Sequence, residues 1–363
     1  MAKYFKASDY YPDDKDIYDL LDSQTRSIDP MLIFLRNRNI FASKDAEKST
    51  LQSYISLLYF DWESASRLVD IVDIRDTEQK SIHSKYVVDI SSDRIHALAN
   101  NLKVERGEPR REVYQIIKNG DEIDLKITYL DVDTSKTRVL QKKEKEIQIT
   151  ATRSTDCWCF RHTDNERAKD ILKAFIQKIG QDTNQADIPQ KSIEIGHMGD
   201  NAQRVSFFKK TMSEMEGFRL IDVSNLKVDR LPREAQAEEE AEVEEDVEEK
   251  LRKVVMYGID LFTTSEYQNL VRQGFFISGA QWKSQKTDGK GELVEFVAGF
   301  NSPSEGKDFA YKVLGVYRVD DTGNLMQTRE KAFGAEKKEY LTALESSAHK
   351  ALNTINGERH ETA

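Results

Sequence analysis

The sequence predicts an α+β fold, in which a small N-terminal helical unit precedes two units that each close an antiparallel sheet with one helix. Apolar residues recur at helical spacing over 14–75, whereas from Tyr86 onward the apolar pattern alternates with a period of two. An acidic stretch, 232–253, separates two strand-rich runs of similar design. Strand runs closed by a helix are typical of the α+β class. We therefore expect domains at 1–78, 79–231 and 254–357, a connector at 232–253 and a tail at 358–363.

The N-terminal helical unit is indicated by its caps and its apolar stripes. Asp29 and Pro30 suit an N-cap and a first-turn proline, and Ser43 and Asp61 stand where two further helices begin. The apolar and aromatic residues that recur at helical spacing are Ile17, Leu20, Leu21, Leu51, Tyr54, Ile55, Leu58, Tyr59, Trp62, Ala65, Leu68, Val69 and Val72. The unit is predicted to be an interaction module. Arg36 and Arg38 near its loop leave DNA contact open as an alternative.

The first α+β unit is predicted from alternation and turn signals. Asn119-Gly120 is a two-residue hairpin signal between two alternating strands, and Thr163 with Glu166 forms a capping box for the closing helix. The other predicted elements are a strand at 86–90, a helix at 93–102, a loop at 106–111, strands at 138–141 and 146–153 joined by a KKEKE turn, a strand at 157–160, and a strand–helix–strand at 191–225.

The second α+β unit follows the same plan. A turn at Gly323 leads into a final strand, and a long helix runs through Tyr340 and Ile355. The earlier elements of this unit are strands at 254–262, 274–283, 292–300 and 309–320 and a short helix at 265–272.

The acidic stretch carries the net charge of the protein. The 363 residues include 54 Lys and Arg against 64 Asp and Glu, and ten of those carboxylates lie between Glu234 and Glu249. Blocks of like charge usually stay solvated, while Val243, Val247 and Leu251 recur at helical spacing, so we expect a disordered start that becomes helical from about Glu242. Its role is a solvated linker, an acidic lure for a basic partner, or an internal mimic of nucleic-acid phosphate.

Composition favours the cytoplasm. The N-terminus lacks the apolar core of a signal peptide, and no apolar run approaches the roughly 20 residues of a membrane span. The only cysteines, Cys157 and Cys159, are one residue apart, which provides no disulfide framework and suits a reducing compartment.

One short stretch contains soft metal ligands. Cys157, Cys159 and His162 fall within six residues, and His197 is the distant residue that could join them. Because a second cysteine pair is missing, we expect the two cysteines to be small buried side chains on one strand face, with a metal site as the alternative. His197 lies in a Gly196–Asp200 turn, where a phosphate site competes with a tight turn capped by Asp200.

Glu122, Asp124 and Lys126 share one face of a predicted strand. This pattern resembles metal-dependent nucleases of the restriction-enzyme type, which use an Asp and an (Asp/Glu)-x-Lys pair to hold Mg²⁺ and orient water. The partner aspartate has no clear candidate here, so a solvated strand face is the favoured interpretation.

Basic clusters provide candidate nucleic-acid contacts, although loops and turns are also where lysine and arginine ordinarily lie. These candidates are Arg36, Arg38, Arg106, Arg110, Arg111, Lys142, Lys143 and Lys145. Three modules without a catalytic constellation favour a non-enzymatic adaptor subunit of a cytoplasmic multi-protein assembly, with no cofactor, other protein subunits as partners and DNA or RNA as a further partner. The alternatives are a divergent Mg²⁺-dependent nuclease and a small-ligand sensor.

Overall fold

A computed structural model of the chain describes residues 12–24, 27–72, 79–155, 157–185, 187–198, 200–230, 253–258, 261–289, 291–320 and 322–361. The helices in these ranges are α1 (Asp14–Gln24), α2 (Asp29–Asn37), α3 (Lys48–Ser56), α4 (Trp62–Val72), α5 (Ser92–Arg110), α6 (Glu166–Asp182), α7 (Asn201–Ser213), α8 (Ser265–Arg272) and α9 (Gly334–Glu361). The strands are β1 (Ser81–Tyr86), β2 (Glu112–Asn119), β3 (Glu122–Val132), β4 (Lys142–Arg153), β5 (Trp158–Thr163), β6 (Gln190–Ser192), β7 (Phe218–Arg230), β8 (Lys253–Tyr257), β9 (Phe275–Lys286), β10 (Leu293–Ser302) and β11 (Lys307–Tyr317). The predicted α+β class is confirmed.

The strands form an antiparallel sheet in the order β2-β3-β4-β5-β1-β11-β10-β9-β7-β8, and β6 pairs with β1 outside this order. The predicted acidic connector falls between β7 and β8 and, apart from Lys253, lies outside the described residues. β7 pairs with both β8 and β9, and Asp229 stands opposite Lys253. The strands on the two sides of the acidic stretch are therefore neighbours in one sheet, whereas the sequence assigned them to separate domains.

The chain divides into two compact units. The first comprises Met1–Glu78, Asn100–Gln115 and Lys126–Ile147, and the second comprises Gln79–Ala99, Ile116–Leu125 and Gln148–Ala363. Within the described ranges, no helix has the length and apolar character needed to cross a membrane.

The first unit has an apolar core built from most of the residues that the helical spacing predicts. Tyr54 and Tyr59, placed on the same stripe, are instead 47% and 81% exposed, and Tyr59 lies beyond the end of α3. Leu140, from the 3₁₀ turn at Arg138–Leu140, joins this core, so the four helices do not make it alone. Asp61 caps α4, since its Oδ1 accepts a hydrogen bond from the Ser64 N–H at 2.7 Å. Ser43 does not start a helix: its hydroxyl accepts from the Asp45 N–H at 3.1 Å and closes a local turn, and α3 begins five residues later.

The loop predicted at 106–111 is wrong, because α5 continues to Arg110. Arg106 is buried and donates to the buried carboxylate of Glu112 from two nitrogens, at 3.2 and 3.3 Å. Tyr114 donates to the same carboxylate at 2.5 Å. This cluster ties the last turns of α5 to β2, and it overrides the helix-breaking tendency of Gly107 and Pro109.

Other predicted elements shift by a few residues. β1 precedes the strand predicted at 86–90, and the predicted KKEKE turn is part of β4, where Lys145 pairs with Asp131 at 2.6 Å. The N-cap of α6 is Asn165, whose side chain accepts from the Ala168 N–H at 2.6 Å, and not Thr163. The last predicted strand is reduced to two isolated bridges, one between Val319 and Leu325 and one between Val316 and Glu330.

In the second unit, helices cover both faces of β5. Phe160 packs edge-on against Phe175 of α6, with the ring centroids 5.9 Å apart. The next residue, Arg161, points to the other face and binds Glu345 of α9. Ser347 of α9 in turn donates to the Thr211 carbonyl of α7 at 2.8 Å. The α9 helix therefore forms the cover of one sheet face, where the candidate site lies.

Candidate functional site

The second unit contains a cavity of about 620 Å³ between α9 and the strands β1 and β6. Cavities of about 300–1,000 Å³ are the usual size of small-molecule sites. Polar groups from both sides reach it, and those that matter for its chemistry are Lys85, Cys157, Lys191, His197, His349 and Asn356.

The sheet side of the cavity carries two lysines. On β1, Lys85 stands opposite Lys191 of β6 and opposite Cys159 of β5. Residues directly opposite each other in antiparallel strands project from the same face of the sheet. The register therefore places both ammonium groups and the Cys159 thiol on one face.

The helical side of the cavity is one polar stripe of α9. His349, Leu352, Asn353 and Asn356 line the cavity, and their spacings of three and four place them on one helix face. Asn356 is held by His197, with Oδ1 2.9 Å from the Nε2 atom of that histidine. The sequence contains these polar residues at helical spacing. They were not predicted to form a site, because the helix was identified from its apolar residues, such as Leu344 and Ile355.

The turn that presents His197 depends on a close backbone approach. A Cβ atom on Gly196 would lie 2.0 Å from the Glu305 carbonyl oxygen, so only glycine fits there. Ile195 donates its N–H to the Gly306 carbonyl at 2.9 Å, which fixes the two backbones side by side. Asp200 caps α7 as the sequence predicts, because its side chain accepts from the Ala202 N–H at 2.8 Å.

A buried polar network lies behind the cavity. Glu345 is 6% exposed and accepts from Arg161 at 2.5 and 2.7 Å and from the Tyr311 hydroxyl. Burial acts to raise the pKa of Glu345, but the hydrogen bonds and charge of Arg161 outweigh it and hold that pKa below its usual value. Glu345 is therefore an anion inside the protein, neutralised by one guanidinium.

Two histidines complete this network. His349 Nε2 lies 3.2 Å from His83 Nδ1, so one ring donates a hydrogen bond to the other. Burial, opposed by Glu345, lowers the pKa of His83 to about 4. Burial together with Lys85 and His83 lowers the pKa of His349 to about 3. Both rings are therefore neutral at neutral pH.

The cysteines and histidines singled out in the sequence are only partly brought together. Cys157 and His197 both line the cavity, and the Cys159 thiol lies beside Cys157. Burial and the neighbouring Cys157 raise the pKa of Cys159 to about 11, so it is a protonated thiol. His162 projects from the opposite face of β5 to Cys159, and its ring contacts the carbonyl of the neighbouring Thr163 at 2.9 Å. Among the described residues, no group of three or more His, Cys, Asp or Glu could hold a metal ion.

The three residues of the nuclease-like pattern each have another partner. Glu122 pairs with Lys338, Asp124 accepts from the Thr150 hydroxyl at 2.6 Å, and Lys126 pairs with Glu146 at 2.7 Å. Lys126 is exposed and Glu122 and Asp124 are half-buried, so the solvated strand face that the sequence favoured stays a prediction.

The predicted nucleic-acid residues fall into two groups. Arg38 and Arg106 are engaged internally: Arg38 lies over the Phe34 and Phe60 rings and donates to the Tyr59 carbonyl at 2.9 Å, and Arg106 is buried against Glu112. The others have exposed or half-buried side chains, namely Arg36, Arg110, Arg111, Lys142, Lys143 and Lys145.

Another basic group is not among the residues predicted from the sequence. Lys80 and Lys227 line a depression of about 330 Å³ on the sheet of the second unit. Burial and the charges of Lys227 and Lys312 lower the pKa of Lys80, and the charge of Asp164 opposes this shift. Lys80, Lys227 and Lys312 come from three separate strands or loops, so they do not form a cluster in the sequence.

The helical part of the first unit exposes several large apolar side chains. Phe41 is 83% exposed, Tyr59 81% and Leu57 73%. The Arg38 guanidinium bonds to the Tyr59 carbonyl and thereby joins the loop after α2 to the loop after α3. We call Phe41, Leu57 and Tyr59 the apolar loop surface.

The chain matches no protein-family model, and no curated protein matches it in sequence.

Proposed function

We propose that the protein is a non-enzymatic adaptor subunit that docks onto another protein subunit through its helical unit. The observation that supports this proposal is the apolar loop surface, where three large side chains are each more than 70% exposed. Burial of one such side chain contributes about 1.5–3 kcal/mol. A partner that covers all three would gain roughly 4–9 kcal/mol from these side chains toward the cost of association.

The surface is preorganised, which favours docking. Arg38 is stacked on Phe34 and Phe60, and these two rings stack on each other with centroids 5.7 Å apart. The loops that carry Phe41 and Tyr59 are therefore anchored to the core through one side chain, and little conformational entropy is lost when a partner binds.

Replacing both Phe41 and Tyr59 by serine is expected to reduce the affinity for the partner subunit by at least roughly tenfold, because two apolar contacts are lost. The tagged full-length protein would be purified from its native host, its partner identified by mass spectrometry, and the dissociation constant measured with the purified partner.

Val104→Ser is the matched control, since Val104 is 79% exposed in the same unit but lies on α5. Equal affinity of the Phe41→Ser/Tyr59→Ser variant and the parent would contradict the proposal. The free energy of unfolding of both variants should stay within about 0.5 kcal/mol of the parent.

Nucleic acid is proposed as a second partner, and the supporting observation is the group of Lys80, Lys227 and Lys253 that lines the depression on the sheet. Such a group suits phosphates, and its contribution should fall as salt rises. Lys80→Met with Lys227→Met is expected to weaken binding of labelled DNA or RNA and to flatten its salt dependence, whereas Lys350→Met should not.

The nuclease alternative is tested by incubating the same labelled DNA or RNA with the protein in Mg²⁺ or in EDTA. Metal-dependent cleavage that Asp124→Ala abolishes would replace the adaptor proposal.

A further inference from the structure

We propose that the cavity beside α9 binds a small anionic molecule whose carboxylate or phosphate lies between Lys85 and His349. Both residues line the cavity, whose volume of about 620 Å³ suits a ligand of metabolite size. This site is independent of the apolar loop surface, which belongs to the other unit.

The charges on the cavity wall call for an anion. Lys85 and Lys191 stand directly opposite each other on β1 and β6, an arrangement of like charges that is destabilising in a sheet. Within the described part of the chain, neither forms an ion pair with a carboxylate. Glu194 is the acidic residue among the lining residues, so the two lysines leave the wall with a surplus of one positive charge. A bound anion would offset the repulsion between the two ammonium groups.

The helical wall supplies groups that read the rest of the ligand. Asn353 and Asn356 present carboxamides, which both donate and accept hydrogen bonds, and His197 fixes Asn356 at 2.9 Å. The Cys157 thiol and Leu352 add less polar surface. A purely apolar ligand would offer nothing to the Asn353 amide or to the NH₂ group of Asn356, whereas a small polar anion can accept hydrogen bonds from both.

His349 provides the readout of binding. Burial together with Lys85 and His83 lowers the pKa of His349 to about 3, while Glu345 opposes this shift. An anion placed between Lys85 and His349 screens the lysine and stabilises the imidazolium. The pKa of His349 should therefore rise when the anion binds.

The test uses inorganic phosphate and citrate as probes of the full-length protein. The protein has six histidines, so His349 can be assigned in the NMR spectrum with a His349→Gln variant. We expect one or both anions to move the His349 resonance saturably and to raise the pH at which it titrates. Lys85→Met should weaken the binding by at least roughly tenfold. Lys191→Met, on an exposed residue that does not threaten folding, should weaken it as well.

Lys350→Met is the matched control, because Lys350 is the exposed neighbour of His349 and does not line the cavity. Saturation by phosphate alone identifies a phosphate ligand, and saturation by citrate alone identifies a carboxylate. The proposal is overturned if neither anion moves the His349 resonance, or if Lys85→Met, Lys191→Met and Lys350→Met all bind as the parent does.

Discussion

Glu345→Ala is expected to destabilise the second unit by about 3–5 kcal/mol, because it leaves the buried charge of Arg161 without its carboxylate. Glu345 is 6% exposed, and the guanidinium of Arg161 donates to it at 2.5 and 2.7 Å. The Tyr311 hydroxyl, fully buried, loses its acceptor at the same time. A buried group that loses its partner bears the full desolvation penalty, and this is why truncation of one partner is so costly.

The measurement is urea unfolding followed by tryptophan fluorescence. The chain has three tryptophans, and in a Trp62→Phe background the remaining two, Trp158 and Trp282, lie in the second unit and are fully buried. The midpoint should fall while the slope with denaturant stays unchanged, since the surface exposed on unfolding is the same.

Two controls separate the buried charge from a general effect of truncation. Glu305→Ala removes an exposed partner of Lys307 in the same unit, at 3.0 Å, and should cost less than about 1 kcal/mol. Arg161→Leu with Glu345→Leu removes both charges and should recover most of the stability that Glu345→Ala loses. A loss from Glu345→Ala no larger than that from Glu305→Ala would show that Arg161 finds water or another acceptor.

Elements with a strong local period could be predicted from the sequence, and elements fixed by distant contacts could not. The helix expected at 265–272 is α8, and the stripe of Ile17, Leu20 and Leu21 is buried as expected. By contrast, α5 extends through residues expected to form a loop, because Arg106 is buried against Glu112. Periodicity shows which face of an element is apolar. It does not show which buried ion pair will fix the end of that element.

The pairing of strands across the acidic stretch could not be predicted from the sequence either. The sequence separated two α+β units at the acidic stretch, since a block of ten carboxylates is typical of a linker. The strands on its two sides nevertheless pair, with Asp229 opposite Lys253. Strand partners are chosen by the complementarity of whole faces, and a single sequence does not state which strand will be the neighbour of another.

The sequence indicated some of the residues that line the candidate cavity, but not others. Cys157 and His197 drew attention because soft ligands and glycine-flanked turns have known chemistry. Lys85 and His349 did not, because their meaning comes from neighbours far along the chain: His349 lies 266 residues from His83 and Glu345 lies 184 from Arg161. A buried histidine pair has no local signature, and it is the feature that links this site to pH.

Acid should destabilise the second unit through this pair. The ordinary histidine pKa is 6.5, whereas burial lowers that of His83 to about 4 and that of His349, which also faces Lys85, to about 3. Below the ordinary pKa the unfolded chain takes up protons that the folded protein cannot, so the free energy of unfolding falls as the pH drops from 6.5 toward 4. The loss is about 2 kcal/mol per histidine near pH 5, and neither histidine contributes a slope well above pH 6.5.

The double variant His83→Asn/His349→Gln tests this origin, because Asn and Gln place an uncharged amide near the Nδ1 and Nε2 atoms that meet at 3.2 Å. Urea unfolding of the parent and the variant would be compared at several pH values between about 5 and 7.5, a range that brackets the ordinary histidine pKa. The difference in stability between them should shift in favour of the variant by about 2–4 kcal/mol as the pH falls across this range. His197→Gln, which alters an exposed histidine outside this pair, is the matched control. Parallel curves for the parent and the double variant would mean that the folded protein accepts protons on these rings as readily as the unfolded chain does.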